Sequence, residues 1–200
     1  MAHKKADDRR REFIDTAARV IAADGVAKAT TRRITEEAGA PTASLHYVFD
    51  GKDALLQAVL EQGPIDGQAA GARFVTPGMG LAAGVAALMR GYAGWVVDDV
   101  SWQQAQYELV LWAARTPSAK HLPGRVYRSY LDHTAQLLRE ATRPDDPVID
   151  YQLLATHMLA VLDGLTLQAI AGQVRDLLAQ TEIASANLVA WVERAAHPAG

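Results

Sequence analysis

The pattern of apolar and polar positions predicts short helices over the first fifty residues. Apolar side chains recur three and four positions apart, which is the spacing of one helix face. The first run of apolar side chains predicts a helix. Asp7 or Asp8 is placed to cap its start, and Gly25 is expected to end it. A second short helix is predicted over residues 32–38. A third of about seven residues, which Thr42 is placed to cap, is expected to end near Gly51.

A fourth helix is expected from Lys52 to Gln62, with an apolar stripe on one side. Residues 63–80 are rich in glycine and include two prolines, which indicates a connection, with room for a broken helix inside it. The helical period then returns and predicts long helices to the end of the chain. Their apolar stripes lie within residues 81–96, 102–113, 127–138, 148–171 and 182–196.

Composition places the chain in the all-α class. Alanine and leucine dominate, whereas phenylalanine occurs only 3 times, a balance that favours helices over strands. The absence of cysteine excludes disulfide frameworks, thiolate zinc sites and cysteine nucleophiles. No uninterrupted apolar run approaches the roughly 18 to 20 residues of a membrane-spanning helix. The charged start of the chain also lacks the apolar stretch of a secretory signal, so we expect a soluble protein of the cytoplasm.

The net charge of −3 is unevenly divided along the chain. Residues 1–60 carry ten basic and nine acidic side chains, whereas residues 61–200 carry ten and fourteen. This division points to two parts with different partners. A basic patch on one face remains compatible with the small overall charge.

The first three predicted helices have the layout of a helix-turn-helix module. A tight turn containing Gly39 separates the second helix from the third, as in that motif. An α-helix fits the major groove of B-DNA, so a DNA-reading helix presents small polar and aromatic side chains outward. Leu45 and Phe49 are expected to anchor the third helix inward. The side chains expected to face the groove are Thr42, Ala43, Ser44, His46 and Tyr47.

Residues 30–56, which read TTRRITEEAGAPTASLHYVFDGKDALL, resemble the signature of the TetR family of bacterial transcriptional regulators. The resemblance implies an N-terminal helix-turn-helix DNA-binding domain over residues 1–52. It also implies a C-terminal helical ligand-binding and dimerisation domain over residues 53–200. The residues that it places on DNA are Thr31, Arg32, Thr42, Ala43, Ser44, His46, Tyr47 and Lys52.

The chemistry of these side chains indicates different roles on the duplex. Lys52 and Tyr47 suit phosphate oxygens, and Arg32 suits a guanine edge or a phosphate. Ser44 and the methyl group of Ala43 suit base edges. In the family the position of His46 is usually tyrosine, so the operator sequence does not follow from the resemblance.

The resemblance further implies a homodimer through the last two helices and a small-molecule pocket among helices four to eight. The C-terminal part is rich in large apolar side chains, which favour a small, largely apolar ligand. Its polar neighbours include Gln103, Gln104, Gln106 and His133. The candidate ligand-binding residues are Met89, Trp95, Trp102, Tyr107, Trp112, Tyr127 and His157.

Two hypotheses from different classes follow from the sequence. The first is a DNA-binding transcriptional regulator, a repressor that binds double-stranded operator DNA and is released from it by a small, largely apolar effector. The alternative is a small all-helical enzyme or ligand-binding protein in which the first three helices are structural. No catalytic constellation, metal-ligand cluster or cofactor-binding motif is recognisable, which favours the first hypothesis and predicts no cofactor, no metal and no membrane partner.

Overall fold

A computed structural model describes residues 6–196, apart from the side chains of residues 65, 66, 68, 70, 195 and 196. Within this range the chain forms helices and no strand, as the composition predicts. The helices are α1 (Ala6–Asp24), α2 (Thr31–Glu37), α3 (Thr42–Val48), α4 (Lys52–Ala72), α5 (Leu81–Asp98), α6 (Val100–Arg115), α7 (Leu122–Ala141), α8 (Tyr151–Ile170) and α9 (Leu177–Ala196).

Contacts between helices divide the chain into two compact units. The N-terminal unit comprises residues up to Gly63 together with Ser101–Val126. The C-terminal unit comprises Pro64–Val100 together with the residues from Tyr127 onward. The predicted domain boundary between residues 52 and 53 remains a prediction.

The first three helices pack around a small apolar core in the N-terminal unit. Phe13, Ile34 and Leu45, one from each helix, have no exposed surface. The helix ends follow ordinary capping chemistry: Gly25 adopts a φ of +80° after α1, and the Thr30 hydroxyl accepts a hydrogen bond from the Arg33 N–H at 3.1 Å. These local signals explain why the sequence pattern identified all three helices.

Two caps differ from the sequence prediction. Asp7 and Asp8 lie inside the first turn of α1 and not before it, a position where carboxylates still favour the helix dipole. Thr42 is the first residue of α3, and Pro41 occupies the N-cap without a side-chain hydrogen bond. The Thr42 hydroxyl instead lies 3.2 Å from the Thr35 hydroxyl, linking the start of α3 to α2.

The prediction of a connection beginning at residue 63 is wrong, because α4 continues to Ala72. The helix runs through Pro64 and through glycines at positions 67 and 71. Glycine is needed there because aromatic rings lie directly against the helix. A Cβ on Gly67 would stand 3.0 Å from the Tyr130 ring, and one on Gly71 would stand 2.8 Å from the Tyr92 hydroxyl. The glycines are therefore packing positions, and the connection is confined to residues 73–80.

The core of the C-terminal unit lies among α5, α7, α8 and α9, and α5 packs most extensively on α9. Leu88 and Met89 of α5 and Leu138 of α7 have no exposed surface. The loop after α7 caps α5, because an Asp146 carboxylate oxygen accepts the Leu81 N–H at 2.7 Å. Helix α5 therefore begins where the loop between α7 and α8 reaches it.

Helix α8 is long and apolar enough to cross a membrane by length and composition alone, with a mean hydropathy of 1.5. The sequence predicts no such helix, because polar residues interrupt each apolar run. Most of these residues are uncharged, so the average stays high. Only 28% of the apolar window is buried within the chain, which leaves much apolar surface of α8 uncovered.

Candidate DNA interface and effector domain

Helix α3 presents the outward face that a DNA-reading helix needs. Leu45 and the following Phe49 are buried, so they anchor the helix. Tyr47 is 81% exposed, Ser44 is half-buried, and the remaining predicted groove-facing side chains of α3 are exposed. Helix α3 thus presents polar side chains and the aromatic ring of Tyr47, which does not pack against the core.

The turn between α2 and α3 is held in one conformation by its backbone and by hydrogen bonds. Gly39 adopts a φ of +59°, where a side chain would introduce strain. The Ala40 N–H donates to the Thr35 carbonyl at 3.0 Å, which closes the end of α2. Together with the Thr35 to Thr42 hydroxyl contact, these bonds hold α3 at a set angle to α2.

The arginines of α2 are held by carboxylates on the same face. Arg32 donates to Glu36 at 2.8 Å, and this hydrogen bond raises the pKa of Arg32. Arg33 donates to Glu37 at 2.7 Å and to Asp24 of α1 at 3.2 Å, so it also ties α2 to α1. Arg32 is exposed and Thr31 is half-buried, so the start of α2 remains accessible to DNA.

Lys52 has a partner that the sequence analysis did not identify. Its Nζ donates to the Val26 carbonyl at 3.0 Å, joining the start of α4 to the loop between α1 and α2. The N–H of the same Val26 donates to a Glu108 carboxylate oxygen of α6 at 2.9 Å. One residue of this loop therefore links α4 and α6, a connection over 82 positions that no local pattern contains.

The candidate ligand-binding residues are divided between the two units. Trp102, Tyr107 and Trp112 of α6 belong to the N-terminal unit, and all three are half-buried. The C-terminal unit holds Met89, Trp95, Tyr127 and His157.

Within the C-terminal unit, these residues occupy unlike surroundings. Met89 lies fully inside the core, and Trp95 is half-buried. His157 is exposed, and the centroid of its ring lies 6.1 Å from that of Trp191 in an edge-to-face arrangement. That these candidate residues contact an effector remains a prediction.

One polar pair stands out among these aromatic residues. The Tyr127 hydroxyl of α7 donates to an Asp163 carboxylate oxygen of α8 at 3.0 Å. Burial, with the nearby charge of Asp163, raises the pKa of Tyr127. The rings of Tyr130 and Trp95 meet over Gly67 in the same unit. The C-terminal unit thus contains a hydrogen-bonded tyrosine–aspartate pair and, at Gly67, two aromatic rings packed against α4.

A groove of about 310 Å³ lies between α5 and α9 in the C-terminal unit. An ion pair between Arg90 and Glu182, at 3.8 Å, stands at this groove. None of the candidate ligand-binding residues lines it. The lining residues are Ala86, Arg90, Thr181, Glu182, Ser185, Ala186 and Val189.

The comparisons with known proteins agree with this architecture. Residues 13–59 match the model of the "Bacterial regulatory proteins, tetR family". Residues 80–195 match the "Tetracyclin repressor-like, C-terminal domain". Over 164 residues the chain is 32% identical to the HTH-type nicotine-responsive transcriptional repressor HdnoR of Paenarthrobacter nicotinovorans, covering 82% of this chain and 84% of that protein.

Solved structures show the same fold. The multidrug binding protein EbrR complexed with imidazole aligns with a TM-score of 0.63 and 28% identity, over 90% of this chain and 94% of its own. FadR from Bacillus subtilis in complex with stearoyl-CoA aligns with a TM-score of 0.74 and 16% identity, over 90% of this chain and 97% of its own. The two matching domains favour a regulator over the alternative of a helical enzyme. The chain therefore belongs to the TetR family, and it is a DNA-binding transcriptional repressor regulated by a ligand.

Proposed function

We propose that this chain represses transcription as a homodimer in the cytoplasm and leaves its operator when a small, largely apolar ligand binds. The observation that carries the proposal is the exposed face of α3, which is anchored from behind and held by a fixed turn. A twofold dimer would place two such helices in successive major grooves, roughly 34 to 36 Å apart, and would therefore prefer a near-palindromic site.

The residues proposed to touch DNA are those named from the sequence. Tyr47 and Arg32 stand free of the core, so their side chains can reach a duplex without unfolding any part of the chain. Lys52 holds the Val26 carbonyl with one of its three N–H donors and keeps the others for a phosphate. We therefore assign Lys52 two tasks, which are phosphate binding and fixing the loop before α2.

Arg32 allows a direct test, because Arg128 of α7 is a matched exposed cation on another part of the surface. Both are changed to alanine, and affinity for a selected duplex is measured by fluorescence anisotropy at several salt concentrations. We expect Arg32→Ala to weaken binding at least about tenfold and Arg128→Ala to leave it nearly unchanged. If Arg32 binds a phosphate, the slope of log affinity against log salt also falls by about 0.9. Equal effects of the two substitutions would contradict the proposed interface.

The proposed dimer interface includes the uncovered face of α8. Leu153 and Leu167, near the two ends of α8, are 45% and 50% exposed, so both leave apolar surface uncovered by the chain. Gly164 has nothing within 4 Å of its Cβ position in the described chain, so the backbone is open to close approach there. Positions on this face recur four and three residues apart, as one helix stripe does. They are Leu153, His157, Ala160, Gly164 and Leu167.

The ligand part of the proposal rests on the density of aromatic side chains in both units. Similar proteins include a nicotine-responsive repressor and a multidrug binding protein complexed with imidazole, which agrees with a small organic effector. A ligand acts only through its different affinity for two arrangements of the dimer. A hundredfold loss of DNA affinity would require about 2.7 kcal/mol of coupling, and operator DNA would weaken ligand binding by the same factor.

The release step is tested with the same duplex and a ligand screen. Tryptophan emission is recorded in parallel, because three of the four tryptophans are candidate ligand-binding residues: Trp95, Trp102 and Trp112. We expect a releasing ligand to change this emission and to act less well on Trp112→Ala and Tyr127→Ala. A ligand that releases DNA without changing emission, and that acts equally on both variants, would place the effector elsewhere.

A further inference from the structure

Two buried amide groups lie on the core-facing stripe of α6. Gln103 and Gln106 are only 8% and 7% exposed, and they are three residues apart, so they project from the same side of the helix. Leu109 and Ala113 continue this stripe and are fully buried. Two amides therefore occupy positions that the helix otherwise fills with apolar side chains.

Neither amide nitrogen is satisfied. Among the described residues, no hydrogen-bond acceptor reaches Nε2 of Gln103 or Nε2 of Gln106. Buried polar groups are nearly always hydrogen-bonded, because an unpaired donor loses its water without compensation. Gln104, on the same helix, is exposed and meets water instead. The two buried glutamines therefore differ from Gln104 in that water does not reach their amide nitrogens.

The unsatisfied atoms also indicate the chemistry that would satisfy them. Both are N–H donors, so the missing partner is a hydrogen-bond acceptor. The buried polar residues of the described chain are all threonine, glutamine or serine, and none carries a charge. None of these buried side chains offers a counter-ion to a carboxylate, so a neutral acceptor is favoured.

We propose that the effector is a neutral, largely apolar molecule that accepts hydrogen bonds from the Nε2 groups of Gln103 and Gln106. Carbonyl oxygens and unprotonated ring nitrogens are acceptors of this class. The inference rests on the proposed function, because it assumes that an effector binds this chain. It adds the polar element by which the site selects one apolar molecule from another.

The test uses pairs of probes that differ in one acceptor atom. Suitable pairs are quinoline and naphthalene, indanone and indane, and tetralone and tetralin, all uncharged at neutral pH. Binding to the full chain is measured by equilibrium dialysis below the solubility limit of the hydrocarbons. The readout is the affinity for the acceptor probe divided by the affinity for its hydrocarbon. This ratio is compared between the parent and the double variant Gln103→Leu, Gln106→Leu.

In at least one pair, we expect this ratio to fall about tenfold or more in the double variant, which corresponds to about 1.4 kcal/mol. Gln104→Leu is the matched control and should keep the parental ratio. A second double variant with methionine at both positions keeps the side-chain length and guards against a packing effect of leucine. A parent that binds no probe, or a ratio unchanged in both double variants, would overturn the proposal.

Thermal unfolding without ligand separates a binding role from a structural one. Because the two Nε2 groups make no hydrogen bond within the described chain, replacing the side chains with leucine removes no bond from these atoms and should leave the melting temperature unchanged or raise it. A fall of several degrees in both double variants would show that the amides are bound within the fold, and it would overturn the proposal.

Operator release distinguishes this inference from the proposed function. If probes bind with the expected dependence on Gln103 and Gln106 but never release DNA, the release mechanism fails and this inference stands. If a molecule releases DNA equally from the parent and the double variants, this inference fails and the proposed function stands.

Discussion

Replacing Glu108 tests the connection between α6 and the loop before α2. The Val26 N–H donates to the Glu108 carboxylate at 2.9 Å, and Val26 itself is buried. In Glu108→Ala the N–H loses its acceptor, and a hydrogen bond to a charged group contributes about 1.5–3 kcal/mol. Glu108 is half-buried, so water partly replaces it, and we take about 2 kcal/mol as the loss.

This loss corresponds to a measurable change in melting temperature. For a chain of this length, 1 kcal/mol shifts the melting temperature by about 2–4 °C, so Glu108→Ala should melt about 4–8 °C below the parent. Glu108→Gln keeps an acceptor oxygen at the same place and should lose less than half as much. Circular dichroism melts at one fixed protein concentration measure both variants, because dimerisation makes the melting temperature depend on concentration.

Two results would refute the reasoning. If Glu108→Ala melts within about 1 °C of the parent, the bond to Val26 contributes nothing to the folded chain in solution. If Glu108→Gln loses as much as Glu108→Ala, the negative charge and not the acceptor geometry is responsible.

Three further predictions follow from single contacts. Leu167→Glu should convert the dimer to monomers in sedimentation, because an unpaired charge in an apolar interface costs several kcal/mol. Gln104→Glu, at an exposed position of α6, should leave the dimer intact, and dimers in both cases would remove α8 from the interface. The pKa of Tyr127 is raised in the folded chain, so the contribution of this tyrosine to folding stability is present below about pH 10 and is lost as the pH rises through the folded pKa. In chemical denaturation, Tyr127→Phe should therefore lose less folding stability than the parent between neutral and high pH, and equal losses would contradict this. Gly71→Val should lower the melting temperature by several degrees, because its Cβ would meet the Tyr92 hydroxyl at 2.8 Å, whereas an unchanged melting temperature would show that this ring moves freely.

The first three helices could be predicted from the sequence because their determinants are local. Apolar spacing, the Thr30 cap and the glycine at position 25 all lie within a few residues of the structure that they specify. The apolar pattern predicts the start of α9 too late, at about Glu182, although Asp176 supplies a capping signal. Its carboxylate accepts the Ala179 N–H at 2.9 Å, so the helix begins at Leu177.

The long α4 could not be predicted from local signals. Glycine and proline in residues 63–72 are typical of a connection, and the rings that make these glycines necessary come from α5 and α7. The same limit applies to the site. The α3 face follows from the spacing of Leu45 and Phe49. The Glu108 to Val26 bond and the unpaired Nε2 groups of α6, in contrast, depend on how distant parts of the chain pack.

Selection of bound duplexes from a random pool tests the central claim most directly. The purified chain is mixed with random double-stranded DNA, and the bound fraction is sequenced after several rounds. A ligand-released dimeric repressor should enrich a near-palindromic sequence whose half-sites are one helical turn, or a multiple of it, apart. A bound fraction with the same sequence composition as the starting pool would contradict sequence-specific binding by α3.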